Sequence, residues 1–416
     1  MSAVGLKQSH THISAERRHI FIMILVGIDI GKSSHYFSVI RKKDGEVLLE
    51  PSKIANDHEG FESLIRSVRS YRKEDILFGM EDTGHYHFAL LKYLLDRKFK
   101  VALINPVITD FTRKANGGIS KTDRLDTLTI CDVLSSNRQK KPYRIFRVSR
   151  FDLYEQRSLT RHHHNLKEEL NVYTNRLQKC IDIVFPEYNG LFSSRYGIVY
   201  NNVLKVYGSA ANIASADIRS LRKCFEFKGR GRRISLTAEK LKQVAINSIG
   251  MDSAADTIQI RHLIQMIEQL SDQIEETDKK IEEFSIRSNS PILSIPGISH
   301  FSGTSILSET GDINNFTHHA QIIKYAGVAP LVYESSQYRA EHTRITKSGS
   351  RYLRKTLYQI IIPVIKSNEA FRRYYNLKIS QGKSPRCAQG HCVRKLLRVI
   401  FHILKTDQKF DPTLLR

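Results

Sequence analysis

The sequence predicts a mixed α/β domain over 23–148 followed by an all-α remainder, and three observations carry that prediction. Short apolar runs alternate with amphipathic helical stretches to about residue 135, which is the pattern of a mixed sheet flanked by helices. Two heptad-like apolar seams then run through 149–288. From 289 to 416 the chain turns to small-residue helices joined by tight Pro-Gly and Ser-Gly turns.

Taken in order, residues 1–22 are polar and basic with no apolar signal-peptide core, and read as a disordered extension ahead of Met23, a second candidate start. Residues 24–30 and 35–41 read as strands joined by the tight GKSS connection, a hairpin that opens the sheet. Ile76–Met80 is a third strand, HFALLKYLLDR a helix, and Lys100–Ile104 a strand ended by Asn105-Pro106. In the middle region Leu166, Leu170, Tyr173, Leu177, Cys180 and Val184 form one seam, closed by Pro186. Ile260, Leu263, Ile267, Leu270, Ile274, Thr277, Ile281 and Phe284 form a second, with charged flanks. Two such seams predict an antiparallel helical hairpin or a dimerising coiled coil. Between them lie short helices and the basic stretch KGRGRR at 228–233. The apolar Ile295-Pro296-Gly297-Ile298 turn reads as helix-hairpin-helix-like, a geometry that offers backbone N–H groups to phosphate. The chain closes on an amphipathic helix, CVRKLLRVIFHILK.

Charge narrows the partner. The chain carries 65 Lys and Arg against 42 Asp and Glu, a net +23, which calls for a polyanion: nucleic acid or an anionic membrane surface. No apolar run reaches the ~18–20 residues that span a bilayer, so nucleic acid is favoured. Five scattered cysteines fit a reducing cytosol rather than a disulfide framework. Cys387, His391 and Cys392 lack a second ligand pair and read as helix packing, and His162, His163 and His164 as solvated side chains on a polar helix.

Two constellations carry chemistry. Asp29 sits inside the apolar run ILVGIDIGK, Glu81 ends ILFGME, and Asp123 and Asp126 stand three apart in SKTDRLDT, so on a helix they share a face. Four hard carboxylates suit Mg²⁺, with Mn²⁺ as the alternative, and paired ions of this kind serve phosphodiester chemistry. Taken alone, Asp123 or Asp126 reads more readily as a solvated acid; for Asp29 that reading is much weaker, because an unpaired charge among buried neighbours is costly. The second constellation is Ser335 and Ser336 followed by Arg339, Arg344, Lys347, Arg351, Arg354 and Lys355. A serine in line with a phosphate becomes a nucleophile when cations stabilise the developing charge, although a serine near arginines is more often a turn or a backbone contact.

The blocks GIDIGK, GMEDTGHY, INP, SKTDRLDT, IPGI, YAGVAP and ITKSGSRYLR, in this order over roughly 24–405, resemble the DEDD insertion-sequence transposases, bridge-RNA-guided recombinases of bacterial mobile elements. The resemblance implies a RuvC-like (RNase H-type) N-terminal domain, a coiled-coil middle and a C-terminal transposase domain with a nucleophilic serine. It places the four metal-binding acids on Asp29, Glu81, Asp123 and Asp126 and the nucleophile on Ser335. The family's Gln-Ser-Gly context is Glu334-Ser335-Ser336 here, which leaves Ser336 as a rival. Nucleic-acid contacts are expected from Lys121, Arg124, Arg339, Arg344, Lys347, Arg351 and Arg354. Implied partners are DNA, a structured guide RNA and further copies of the chain (dimer or tetramer), in a cytoplasmic, nucleoid-associated bacterial protein without a membrane. Three rivals differ in kind. A Holliday-junction-type endonuclease would use the same acids with water, a kinase-like ATPase would need a second phosphate loop that the chain lacks, and a non-catalytic nucleic-acid-binding protein would leave the acids idle.

Overall fold

The structure, a computed structural model, describes residues 23–82, 84–117, 122–136, 142–146, 150–192, 195–226, 235–331, 334–335, 338–339 and 344–414. Residues 1–22, the basic stretch 228–233, Lys121 and Ser336 lie outside them. The chain divides into two compact units, 1–150 and 151–416.

The first unit is a mixed sheet in the order β3-β2-β1-β4-β5-β6. Its members are β1 (Ile24–Ile30), β2 (Ser34–Arg41), β3 (Val47–Ala55), β4 (Ile76–Glu81), β5 (Lys100–Ile104) and β6 (Tyr143–Phe146), with helices α1 (His58–Val68), α2 (His87–Asp96), α3 (Pro106–Ala115) and α4 (Asp123–Ser135) between them. The opening hairpin is antiparallel, whereas β1, β4 and β5 run parallel. Ile24, Leu25, Val26 and Ile28 have no exposed surface, as expected of a strand covered on both faces. Two strands escape the sequence reading because both are edges. In β3 the pairing with β2 shifts register between Phe37 and Val39, opposite the Glu50-Pro51 step, and proline is tolerated in a sheet at such edge irregularities.

The position of α4 matters most for function. A Cβ on Gly27 would lie 2.2 Å from the Thr127 carbonyl and 2.7 Å from Cys131 Sγ, and one on Gly79 would meet the Leu134 side chain at 2.6 Å. Gly27 and Gly79 are partners across β1 and β4, so two missing side chains let the helix settle on the sheet. Cys131 also lies against Leu25, so α4 advances as β1 retreats and the two run antiparallel.

The second unit is built on two 35-residue helices. After α5 (Arg150–Val184) come the short α6 (Tyr188–Leu191), α7 (Ile198–Val206), α8 (Ala210–Ser215), α9 (Ile218–Lys223) and α10 (Ala238–Ile246), then α11 (Ala254–Ser288). Leu166 packs with Leu270 and Ile274, while Cys180 faces Gln259, so α5 and α11 form an antiparallel pair within one chain. The second seam is shifted at one point: Ile264 is wholly buried and Leu263 only partly, because a straight helix drifts against a strict heptad. Ile267 and Ile274 are 3% and 5% exposed in this intramolecular contact. Ile267→Asp should therefore destabilise the unit itself by roughly 3–5 kcal/mol, an uncompensated buried charge, and lower its melting temperature at every protein concentration. A concentration-dependent loss would instead place the seam between subunits.

The remainder packs α12 (His300–Thr310), α13 (His319–Tyr325), α14 (Arg351–Ser367), α15 (Glu369–Ser380) and α16 (Pro385–Thr406), with a two-stranded ribbon of β7 (Glu334–Ser335) and β8 (Tyr338–Arg339). The Pro-Gly turn joins a 3₁₀ turn (Pro291–Ser294) to α12, and Gly297, at φ 95°, lies where a Cβ would come 2.7 Å from the Val364 nitrogen. Its glycine lets α14 approach. His163 and His164 are buried, 5% and 2% exposed, not solvated as the polar helix suggested, because α5 turns that face onto Phe301 of α12. Of the three C-terminal side chains, Cys392 is wholly buried and Cys387 is exposed.

Candidate acidic site and serine-bearing ribbon

Side chains alternate along a strand, so Asp29 shares the face of Gly27, and Glu81 that of Gly79. Both faces are the one α4 covers. Ile28 pairs with Met80, which sets Asp29 and Glu81 side by side at the ends of two parallel strands. Because α4 is antiparallel to β1, its first turn, with Asp123 and Asp126, comes back toward that same edge. Thr122 caps the helix by accepting from the Leu125 N–H at 3.3 Å. First-turn carboxylates also favour the positive end of a helix dipole, a structural role both aspartates fill in any case.

The side chains have protein partners. Glu81 accepts a hydrogen bond from the Thr109 hydroxyl, and Asp126 lies 3.9 Å from Arg113, which also pairs with Asp110. Asp126 is 15% exposed and Asp123 is open to solvent. As they stand, no three His, Cys, Asp or Glu side chains among the described residues are grouped closely enough to hold an ion. The donor chemistry fits a hard divalent cation and the backbone brings all four acids to one edge, but closure on an ion needs Glu81 and Asp126 to turn from Thr109 and Arg113.

In the second unit the blocks YAGVAP and ITKSGSRYLR meet. Lys347 N–H donates to the Gly327 carbonyl at 3.0 Å, Ser350 N–H to Tyr325 at 3.0 Å and Thr346 N–H to Ala329 at 2.9 Å. Gly349 is required here: at φ 94° its missing Cβ would sit 2.0 Å from the Tyr325 carbonyl oxygen. Beyond this base Pro330 pairs with Ile345, and in the ribbon Ser335 pairs with Tyr338. Of the basic residues, Arg344, Lys347 and Arg351 are exposed, as is Arg124 in the first unit, and only the backbone of Arg339 is described. Arg354 is turned inward, donating to the carbonyls of Ala326 (3.3 Å) and Lys347 (3.1 Å), so it braces the turn.

Beneath the ribbon is a network the sequence reading missed. Glu309, 1% exposed, receives both arms of the Arg161 guanidinium at 2.6 and 3.0 Å and the Ser350 hydroxyl at 2.7 Å. Burial alone would raise its carboxyl; the hydrogen bonds from Arg161 and Ser350 win and hold it below the usual range. Arg157 donates twice to the Ser308 carbonyl, at 2.8 and 2.7 Å. The available signal was an acid inside the small-residue apolar helix GTSILSET, the same signal that singled out Asp29. Nearby, His164 Nε2 lies 3.1 Å from the Thr356 hydroxyl, and burial pushes its pKa down to about 4. The unfolded chain therefore binds a proton that the folded one refuses, and stability present above pH ~6.5 is lost as pH falls toward 4, by at most about 1.4 kcal/mol per unit. The melting temperature should fall from pH 7 to pH 5, and His164→Gln should flatten that slope.

Residues 26–186 match a family model described as "Transposase", of the DEDD IS110 type, and residues 289–376 a second described as "Transposase IS116/IS110/IS902 family". The insertion element IS116 uncharacterized 44.8 kDa protein of Streptomyces clavuligerus is 24% identical over 94% of this chain and 96% of its own. The pilin gene-inverting protein of Moraxella lacunata is 26% identical over 60% of this chain and 76% of its own. A structure of T. thermophilus RuvC in complex with a Holliday junction substrate covers 26% of this chain and 89% of that one, at 14% identity and a TM-score of 0.20.

Proposed function

The chain belongs to the DEDD insertion-sequence transposase family and is a transposase or recombinase acting on DNA, and we propose that it exchanges strands under RNA guidance through a phosphoserine intermediate. The observation that supports this reading is that β1, β4 and the first turn of α4 carry Asp29, Glu81, Asp123 and Asp126 toward one edge of the sheet, in a chain that also carries a serine on a ribbon rooted among exposed cations.

Asp29, Glu81, Asp123 and Asp126 would hold the divalent ion, which when bound supplies positive charge to the phosphate in the transition state. The remaining chemistry belongs to this chain's own residues. The Ser335 oxygen attacks the scissile phosphorus, forming a serine–phosphate ester as the bond to the departing strand's oxygen breaks. The Ser335 hydroxyl gives up its proton in this step, and the departing oxygen takes up one and leaves as a hydroxyl, so the exchange is proton-neutral. Arg344, Lys347 and Arg351 stabilise the equatorial oxygens meanwhile. The ester keeps the bond energy, so the hydroxyl of another strand can reverse the step and religate without an external energy source. A water-using nuclease would spend that energy and release a nicked product.

Guidance by a structured RNA and assembly into a dimer or tetramer complete the proposal. Exchange needs two DNA sites held together, and a charge of +23 suits two polyanions. The test is a recombination assay on a plasmid carrying two element ends, with nuclease-treated protein and with the RNA transcribed from the flanking noncoding segment added back. Recombinants should appear only with the RNA, and binding should weaken steeply with salt. Equal recombination without RNA would remove guidance from the proposal.

A further inference from the structure

We propose that the groove between α15, α16 and the segment after α16 receives one unpaired nucleotide of the DNA substrate, its base against an apolar wall and its phosphate on a basic rim. The proposal rests on the reading of the chain as a DNA-acting enzyme and assigns a subsite well away in sequence from the acids and the serine.

The groove has a volume of about 610 Å³, within the ~300–1,000 Å³ of pockets that take small ligands. One face of α16 supplies Lys395, Val399, His402 and Ile403, at i, i+4, i+7 and i+8. Tyr374 of α15 and Phe410 of the following segment add two aromatic rings. That segment is fixed: Asp407 ends α16 in the left-handed conformation (φ 54°), and the Phe410 N–H donates to Ser294 Oγ at 2.7 Å. The walls are therefore built by the fold.

Charge selects the occupant. Lys395, Arg398 and Lys409 line the groove against one carboxylate, Asp411, whose Oδ1 is already taken by the Thr413 N–H at 2.8 Å and hydroxyl at 2.7 Å. The surrounding 369–416 carries eleven Lys and Arg against three acids, an intense positive field. A purely apolar metabolite gains nothing from that rim, and an acidic peptide gains nothing specific from two rings. A nucleotide uses both, since a base stacks on an aromatic ring while its phosphate takes the cations. Lys395 Nζ and Lys378 Nζ lie over the Tyr374 ring, 4.6 and 5.3 Å from its centre, a cation–π contact that a stacking base would replace as the lysines turn to its phosphate. A base inside a duplex keeps its faces stacked on its neighbours, which restricts the site to an unpaired one.

The experiment uses the full chain with single-stranded DNA carrying 2-aminopurine, the same sequence as duplex DNA, and the same sequence as RNA. Single-stranded DNA should change the probe's fluorescence, and duplex should not. Arg398→Gln combined with Lys409→Gln should weaken single-strand binding about tenfold or more and lower its salt dependence. Tyr374→Leu, which keeps an apolar side chain against the core, should abolish the fluorescence change while leaving the melting temperature unaltered. Iodouracil in the strand should crosslink to Tyr374 or Phe410. Crosslinks elsewhere with unchanged affinity in these variants would overturn the site, and binding of RNA alone would overturn its assignment to DNA. Should the pocket bind as described while the protein neither cuts nor joins DNA, the transposase reading fails and the pocket stands.

Discussion

A protein with Asp126→Asn should bind its DNA normally and cut it at least ~10²–10³-fold more slowly, and Asp29→Asn, Glu81→Gln or Asp123→Asn should behave alike. Each substitution removes one negative charge from the set proposed to hold a divalent ion, and none removes a packing atom. The substitution at Asp126 also takes away the negative partner of Arg113, 3.9 Å distant, so its fold should be checked by melting. Chelation should reproduce the loss and Mg²⁺ should restore the wild type but not the variants. Strand exchange at full rate by the Asp126→Asn protein in Mg²⁺ would end the metal-site proposal.

Ser335→Ala should bind DNA and metal, retain its melting temperature and form no covalent adduct, because no other atom of that side chain can make the ester bond. Ser336→Ala should keep part of its activity. The measurement is a labelled DNA end trapped on denatured protein and located by peptide mass. An adduct on Ser336 would move the nucleophile by one residue. Cleavage without an adduct on either serine would give the chain to the water-using nuclease. Of the two, Ser335 is paired in the ribbon with Tyr338, and Ser336 lies outside the described residues.

Much of the fold could be read locally. The opening hairpin, the strands carried by short apolar runs and the two long helices follow from apolar runs and period-3.6 patterning alone. Edge strands β3 and β6 did not, since a half-exposed edge carrying Pro51 loses the apolar signal on which such reading depends. The exchange of Leu263 for Ile264 in the α11 seam and the burial of His163 and His164 have a different origin. Which face a helix buries beyond its main seam depends on what lands there, and Phe301 and Thr356 arrive from more than a hundred residues away.

The sequence by itself determined that four carboxylates would sit at strand ends and in one helical turn, that two serines would precede a run of cations, and that the chain would seek a polyanion. These are properties of residue type and spacing. Only the tertiary structure decided that the first turn of α4, with Asp123 and Asp126, returns toward the edge where β1 and β4 end. Gly27 and Gly79 let α4 lie on the sheet, and the antiparallel course of α4 against β1 brings its first turn to the strand ends. Likewise, Arg354 lies on one line of sequence with Arg351, yet packing spends one on carbonyls and leaves the other to solvent. A side chain's type states what it can bind; the contacts formed across long chain separations decide whether it is free to do so.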